Sequence, residues 1–172
     1  MTEGRAGSWK RASLQIALLV GALALLTAWN TRDLLPVDER SEAPGWVLSD
    51  LQGQPRSLQE LRGRPAVLYF FAPWCGVCAA SSPQLRWFDR LAGSEVQLVM
   101  IGLDWDRPEE LAEYAERHSL KNPVLLGAPS TAVDYRVRGY PTYYVIDSSG
   151  RIAGRDVGFT TVAGLWWRTR GL

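Results

Sequence analysis

The most apolar part of the chain lies near its N-terminus, where residues 13–28 read SLQIALLVGALALLTA without a charged side chain. As a helix this stretch rises about 24 Å, slightly less than the roughly 30 Å hydrocarbon core of a bilayer. Trp9 and Trp29 flank it, and tryptophan favours the membrane–water interface. The pattern therefore predicts a transmembrane anchor over residues 13–29, preceded by a short N-terminus at 1–12.

Basic residues set the expected orientation of this anchor. Arg5, Lys10 and Arg11 precede the apolar stretch, and the positive-inside rule places that end in the cytoplasm. A cleaved secretory signal peptide has the same basic-then-apolar layout and stays open as the alternative. The small-x-small site at residues 22–24 lies inside the apolar run, which favours an uncleaved anchor. In either case the remainder is predicted to be exported, into a compartment that permits disulfides.

Beyond the anchor, the hydrophobic pattern predicts a linker and then one folded domain. Residues 30–43 are polar and mixed in charge, which is typical of a linker, and from residue 44 to residue 172 short strand and helix patterns alternate. Such alternation predicts an α/β sandwich with a mixed central sheet. The predicted strands lie at 46–48, 56–58, 66–72, 96–103, 123–126, 142–146 and 151–153.

Two of these predicted elements have especially clear signals. The strand at 66–72, AVLYFFA, is a continuous apolar run, as a central strand buried on both faces should be. A helix is predicted from Pro108 to about Arg117, because Asp106 can cap it, Pro108 suits its first turn and Glu109 stands three residues after the cap.

Composition narrows the function classes. The formal net charge of +1 and the lack of a basic stripe give no reason to expect a nucleic-acid partner. The chain has two cysteines, Cys75 and Cys78, and one histidine, His118, so Cys and His alone cannot supply four zinc ligands. His118 falls at the predicted end of a helix, where a cation is favourable, and we interpret it as a helix terminator. We expect neither a metal nor a cofactor.

The cysteine pair points to redox chemistry. The run from Phe70 to Cys78, FFAPWCGVC, leads from the predicted buried strand directly into a helix start. Thiol–disulfide exchange needs a thiolate, and unpaired N–H groups with the helix dipole favour negative charge at a helix N-terminus. Cys75 is therefore predicted to be the attacking thiol. Cys78, one turn later, would resolve the mixed disulfide, and Trp74, Gly76 and Val77 would shape the site.

These residues carry a resemblance to a known family. The run FFAPWCGVC, with Pro83 beyond it and GYPT at residues 139–142, resembles the thioredoxin superfamily. Residues 43–172 resemble its membrane-anchored bacterial TlpA-like branch, which includes cytochrome c maturation thioredoxins. The resemblance implies a thioredoxin-like three-layer sandwich, a redox-active Cys75–Cys78 disulfide, and a cis Pro141 that faces the cysteines. It also implies that Tyr140 and Thr142 bind substrate, with the Tyr140 backbone pairing with an extended segment.

The resemblance also implies an activity and a location. We expect a protein disulfide reductase, anchored as a single-pass protein in the bacterial inner membrane with its catalytic domain on the periplasmic side. Its expected partners are exported proteins with disulfides or thiols and a membrane protein that donates electrons. An anchor of this kind raises the effective concentration of the domain near such a donor.

Two positions depart from the family pattern. Typical thioredoxins have a buried aspartate six residues before the first cysteine, where this chain has Tyr69. Some TlpA-like reductases have a glutamate three residues after the second cysteine, where this chain has Ser81. Either acid would assist proton transfer at the buried thiol. The sequence does not decide whether water or Tyr69 takes over that role.

Two other classes remain as alternatives. In the first, the paired thiols bind Cu(I) or handle apocytochrome cysteines, although His118 looks too remote to complete a copper site. The second is a peroxidase of the peroxiredoxin type. That class normally has Thr-x-x-Cys at its nucleophile, whereas Ala72 stands three residues before Cys75.

Overall fold

The computed structural model describes residues 4–37 and 41–172, and the side chains from residue 12 onward. The chain divides into two compact units, residues 1–33 and residues 34–172. The first unit contains one helix, α1 (Gly4–Thr31), which extends beyond both ends of the predicted anchor at 13–29. Residues 1–3, part of the predicted cytoplasmic N-terminus, lie outside the described residues.

Helix α1 has the length and composition of a membrane span. Its segment Ala12–Thr31 contains 20 residues with a mean hydropathy of 1.9, and none of this segment is buried inside the protein. The Arg32 guanidinium lies 3.7 Å from the centre of the Trp29 ring at the end of the helix. Cation and aromatic ring thus sit together where the apolar stretch ends.

The second unit is a mixed α/β fold built on two sheets. A small antiparallel sheet pairs β1 (Val47–Ser49) with β2 (Pro55–Ser57). The main sheet has five strands in the order β5-β4-β3-β6-β7. These strands are β3 (Ala66–Phe71), β4 (Gln97–Gly102), β5 (Val124–Leu126), β6 (Thr142–Ile146) and β7 (Ile152–Val157). Strands β3, β4 and β5 are parallel, whereas β6 runs antiparallel to β3 and to β7.

Helices cover both faces of the main sheet. They are α2 (Gly76–Ala92), α3 (Pro108–Arg117), α4 (Pro129–Asp134) and α5 (Val162–Thr169), and a 3-10 turn spans Leu58–Leu61. One core cluster combines β3 side chains with α2, α3 and α5, and a second combines the opposite β3 side chains with residues 34–48 and Tyr135. Every residue of β3 is buried, which confirms the central strand predicted at 66–72, although the strand ends one residue earlier, at Phe71.

The segment ahead of β1 packs on the domain. Leu34 is buried, and the Arg155 guanidinium donates hydrogen bonds to the carbonyl oxygens of Leu34 and Leu35. Ala43 N–H donates to the Gly150 carbonyl at 3.0 Å. The folded unit therefore includes residues assigned to the linker at 30–43 on sequence grounds, while residues 38–40 of that linker lie outside the described residues.

Two local predictions need correction. Arg107, not Asp106, occupies the position before α3, and its side chain makes no capping hydrogen bond. Pro108 at the first helical position has no backbone N–H, so the helix start has one donor fewer to satisfy. Strand β7 covers Ile152–Val157, twice as long as the predicted strand at 151–153. Its residues Gly154, Arg155 and Asp156 are polar or small and half-buried, since β7 lies at the edge of the sheet.

Candidate active site

The two cysteines form a disulfide where β3 passes into α2. Cys75 and Cys78 are joined with their Cα atoms 5.2 Å apart. The buried strand fixes the start of this segment, and a turn closed by the Cys75 N–H donating to the Ala72 carbonyl at 3.1 Å brings it to the helix. The predicted redox pair is therefore a disulfide at the junction of the central strand and a helix.

The two sulfurs have different surroundings at the start of α2. Cys75 is the N-cap residue of α2, and its Sγ accepts a hydrogen bond from the Cys78 backbone N–H at 3.0 Å. Cys75 keeps 5% of its surface exposed, while Cys78 is fully buried. Donors and dipole at this helix end favour negative charge on the Cys75 sulfur. Cys75 is thus the sulfur better placed to carry charge near solvent.

The exposed Trp74 side chain lies beside the disulfide. It is 66% exposed, and its Nε1 donates to the Asp104 backbone carbonyl at 3.2 Å and to Asp104 Oδ2 at 3.1 Å. The ring packs edge-on against Tyr140 at 5.7 Å between centroids. Asp104 follows the end of β4 and was not selected from the sequence as a site residue. A carboxylate directly after a parallel strand that neighbours the redox strand is the signal that could have identified it.

The turn before β6 lies next to the same edge of the sheet. The Tyr140–Pro141 peptide bond is cis, and Gly158 N–H donates to the Pro141 carbonyl at 2.8 Å. Thr142 pairs with Phe70 in register, so Pro141 falls beside the end of β3 that leads to the cysteines. Thr142 is fully buried and its hydroxyl donates to the Gly139 carbonyl at 2.8 Å. Its side chain therefore supports the turn, and a contact of Thr142 with substrate stays a prediction that would have to use its backbone.

The two residues between the cysteines are exposed. Val77 is 46% exposed, and a Cβ built on Gly76 would meet no atom within 4 Å. A larger residue at position 76 would therefore fit, so packing does not require glycine there. Neither residue brings a charge to the disulfide.

Hydroxyl groups line the buried side of the pair. Ser81 Oγ donates to the Val77 carbonyl at 2.9 Å, and Ser82 Oγ donates to the Cys78 carbonyl at 3.1 Å. Ser82 Oγ also lies 3.1 Å from the Tyr114 hydroxyl. Tyr69 packs in the same core cluster as both cysteines, and burial raises the pKa of its phenol far above the ordinary value. The positions of the two missing acids are thus occupied by neutral hydroxyls.

A surface cleft opens on the other side of Tyr140, with a volume of about 430 Å³. Its lining residues come from the ends of β4 and β5 and from α4, namely Leu103, Asp104, Trp105, Gly127, Pro129, Ala132 and Tyr140. Trp105 Nε1 donates to the Gly127 carbonyl at 3.2 Å across it. Within the described residues, no group of three or more His, Cys, Asp or Glu could hold a metal ion.

Comparison with known proteins agrees with this geometry. The AhpC/TSA family matches residues 40–155. The thioredoxin-like protein YneN of Bacillus subtilis is 27% identical over 157 residues, covering 87% of this chain and 90% of YneN. The thiol-disulfide oxidoreductase ResA of Geobacillus thermodenitrificans is 30% identical over 116 residues, covering 65% of each chain.

A solved structure extends the comparison to the fold. A thiol:disulfide interchange protein of the thioredoxin family from Chlorobium tepidum superposes with a TM-score of 0.69 at 25% identity, covering 77% of this chain and 97% of its own. Together, the fold and the cysteine pair define a thioredoxin-like thiol–disulfide oxidoreductase. The chain belongs to the AhpC/TSA family, and its relatives confirm the resemblance to the TlpA-like branch of the thioredoxin superfamily.

Proposed function

We propose that this oxidoreductase is an exported, membrane-anchored reductase, which reduces disulfides in exported proteins with Cys75 as attacking thiol and Cys78 as resolving thiol. The observation that carries the proposal is the hydrogen bond from the Cys78 N–H to Cys75 Sγ at the N-cap of α2. In the reduced protein the same donor is available to the Cys75 thiolate.

The reaction follows from this asymmetry. The Cys75 thiolate attacks one sulfur of the substrate disulfide, forming a mixed disulfide and releasing the other substrate sulfur, which takes up a proton. Cys78 then loses its proton and attacks Cys75 Sγ, so the substrate leaves with two thiols and the pair is oxidised. Two electrons and two protons from a donor dithiol return the Cys75–Cys78 disulfide to its reduced form.

The surface around the disulfide supports a protein substrate. Trp74 and Tyr140 present aromatic surface beside Cys75, and the cis peptide before Pro141 holds the Tyr140 backbone at the end of β3. An extended substrate segment can pair with that backbone while its sulfur approaches Cys75. Trp74, Tyr140 and Pro141 therefore belong to the proposed substrate-binding surface, with Gly76 and Val77 leaving the approach open.

The direction of electron flow is inferred from what surrounds Cys75. Strong oxidants of this fold stabilise their thiolate strongly, which favours the reduced form and raises the potential. Here neither Gly76 nor Val77 adds a charge to the donors of the helix start. The moderate stabilisation supports a reductase, supplied with electrons by a membrane partner.

The apolar helix α1 supports anchoring in the bacterial inner membrane. The predominantly apolar segment Ala12–Thr31, with 20 residues, matches the hydrocarbon core of a bilayer in length. The basic residues ahead of it support an extracytoplasmic position for the catalytic domain. Protease added to spheroplasts should then remove the domain and leave a short protected N-terminal fragment. A soluble form beginning near Trp29 would instead mean a cleaved signal peptide.

Single-cysteine variants test the assignment of roles. Cys78→Ser should trap mixed disulfides with exported proteins, because the resolving thiol is missing, and non-reducing gels of cell extracts report these adducts. Cys75→Ser is the matched control and should trap none. Equal trapping by both variants, or trapping by Cys75→Ser alone, would contradict the assigned roles.

A further inference from the structure

Among the described residues, three buried polar side-chain atoms have no hydrogen-bond partner: Trp46 Nε1, Tyr69 Oη and Thr160 Oγ1. Trp46 packs in the core cluster away from α2, and Thr160 lies beside Tyr143 just before α5. Tyr69 packs in one core cluster with both cysteines and lies next to Ser81 of α2. A buried hydroxyl without a well-formed hydrogen bond destabilises a fold, so its position under the active-site helix calls for a functional explanation.

Tyr69 is held rigidly under the active-site helix. It is fully buried in β3, in register with Met100 on one side and Tyr143 on the other. Its ring lies 6.3 Å from Phe71 and 6.4 Å from Tyr143, between centroids, in stacked orientations. The phenol is therefore fixed by packing and not by hydrogen bonds.

The other polar groups around Cys78 are already engaged. Ser81 donates its hydroxyl proton to the Val77 carbonyl, and Ser82 is bonded to the Cys78 carbonyl and to Tyr114. Asp50, the one buried carboxylate in the described part of the chain, lies in the β1–β2 turn and accepts from Gln52 and Gln54 N–H. The Tyr69 hydroxyl makes no hydrogen bond of good geometry and has the Ser81 hydroxyl as its polar neighbour, so its proton remains available to a stronger acceptor.

Tyr69 can act as a donor but not as a base. Burial raises the pKa of its phenol, the nearby Tyr114 raises it further, and the Ser81 hydroxyl opposes them only in part. The ionisable groups that face this cluster from α3 and β6 are the phenols Tyr114 and Tyr143, and burial raises the pKa of both as well. All three phenols are therefore neutral throughout the physiological range.

We propose that the Tyr69 hydroxyl donates a hydrogen bond to the Cys78 thiolate whenever that sulfur is charged, and thereby replaces the carboxylic acid that other members of the superfamily use. This inference rests on the proposed resolving role of Cys78. When a donor thiolate attacks Cys75 Sγ, the disulfide breaks and its electron pair leaves on Cys78 Sγ, which later takes one proton. When Cys78 resolves a mixed disulfide, it first loses that proton and then attacks Cys75 Sγ.

Both steps place a negative charge in apolar surroundings, where an unpaired charge is strongly unfavourable. A neutral, preorganised donor stabilises the charge without becoming ionised itself. In the disulfide form the Cys78 sulfur is uncharged and a weak acceptor, and the Tyr69 hydroxyl is left without a well-formed hydrogen bond.

The direct test is the titration of Cys78 in the full chain carrying Cys75→Ser, labelled with 13Cβ-cysteine and followed by NMR. Adding Tyr69→Phe should raise the pKa of Cys78 by about one to two, the value of a hydrogen bond to a charged group. Tyr143→Phe is the matched control and should leave the titration unchanged, because its hydroxyl lies toward Thr160 and Asp156. The same Cys78 pKa with and without the Tyr69 hydroxyl would overturn the proposal.

A kinetic measurement separates this role from a structural one. With both cysteines present, Tyr69→Phe should slow resolution of a mixed disulfide about ten- to a hundredfold near pH 7, with the rate recovering as the pH rises past the new Cys78 pKa. An equal loss at every pH would mean a structural defect and would overturn the proposal. If Cys75→Ser rather than Cys78→Ser traps substrates, the assigned roles are wrong, yet the NMR titration still reports the Tyr69 contact.

Discussion

The two faces of the central sheet differ at one buried tyrosine, Tyr69, whereas the other buried tyrosines described on both faces have polar partners. On the face away from α2, the Tyr135 hydroxyl donates to the Pro44 carbonyl at 2.7 Å, and the Tyr144 hydroxyl donates to the Tyr135 carbonyl at 2.6 Å. Tyr144 also accepts from Leu35 N–H at 3.2 Å. On the face toward α2, Tyr69 has a fully buried hydroxyl without a partner among the described residues.

This difference distinguishes tyrosines that stabilise the fold from the one that we assign to the redox reaction. The satisfied tyrosines bind the segment ahead of β1 to the domain, so their hydroxyl groups contribute to stability. Tyr69, without a well-formed hydrogen bond, lies under α2 in the same core cluster as the cysteines, and this arrangement lowers stability. Residues at a reactive centre are commonly arranged at the expense of stability, and the two faces show both arrangements on one sheet.

The largest effect is expected from removing the Tyr144 hydroxyl. Tyr144→Phe leaves the Leu35 N–H and the Tyr135 carbonyl without their partner and should lower the free energy of unfolding by about 2 to 3 kcal/mol. Urea unfolding of the oxidised protein measures this. Disulfide reduction at a temperature below the unfolding transition should be unchanged. A loss of activity there would mean that Tyr144 also serves the reaction, which would contradict the distinction between the two faces.

Tyr135→Phe should have a smaller effect in the same direction. One hydrogen bond, to the Pro44 carbonyl, is removed, and the free energy of unfolding should fall by about 1 kcal/mol. Limited proteolysis between residues 34 and 46 should become faster, because that segment loses an attachment. Unchanged proteolysis would show that other contacts hold the segment.

Tyr69→Phe should shift stability in the opposite direction. Removing a buried hydroxyl that lacks a partner should raise the free energy of unfolding of the oxidised protein by up to about 1 kcal/mol while catalysis slows. Urea unfolding of the Tyr69→Phe and Tyr135→Phe variants under the same conditions compares the signs of their stability changes directly. Destabilisation by Tyr69→Phe as large as that by Tyr144→Phe would erase the difference between the faces.

The smallest effect is a pH dependence at the end of α3. Burial lowers the pKa of His118, with the positive charges of Arg117 and Arg86 adding to it. The unfolded chain, with a histidine pKa near 6.5, then binds the proton more readily, so stability should fall slightly as the pH drops below about 6.5. His118→Gln should flatten the unfolding free energy in that window. An unaltered slope would contradict the assignment to His118, because Asp147, whose pKa is lowered, acts only at more acidic pH.

The sequence predicted the parts of the molecule that depend on local pattern. The apolar run at 66–72 and the cysteine spacing each carry a strong local signal, and the structure has a buried strand at 66–71 and the disulfide. The cis bond before Pro141 was implied by the family resemblance of the GYPT segment, and the structure has it as well. The central strand and the position of the disulfide at a helix start follow from such signals alone.

Features that depend on tertiary packing were harder to predict. Strand β7 was underestimated because an edge strand tolerates Gly154, Arg155 and Asp156, which break the alternating pattern. The attachment of Leu34 depends on Arg155, more than a hundred positions away, and no local pattern reports such a contact. Likewise, no local pattern reports that the Thr142 side chain, paired with Phe70 in register, is buried in the core.

The same limit applied to the active site. The sequence raised Tyr69 as a departure from the family pattern, and only the structure reveals that its hydroxyl is buried without a partner while Ser81 and Ser82 are engaged. Asp104 was not selected as a site residue, because its hydrogen bond with Trp74 connects the ends of two neighbouring strands and no local pattern predicts such a contact.

The central claim, that Cys75 and Cys78 form a reducing pair, is tested most directly by the redox potential of the purified protein against glutathione buffers. The account predicts a value near that of thioredoxin, about −270 mV. Val77→His, which adds a charge beside Cys75 at an exposed position, should raise the potential and thus checks that thiolate stabilisation sets it. A wild-type value near −120 mV, typical of a strong oxidant, would contradict the account.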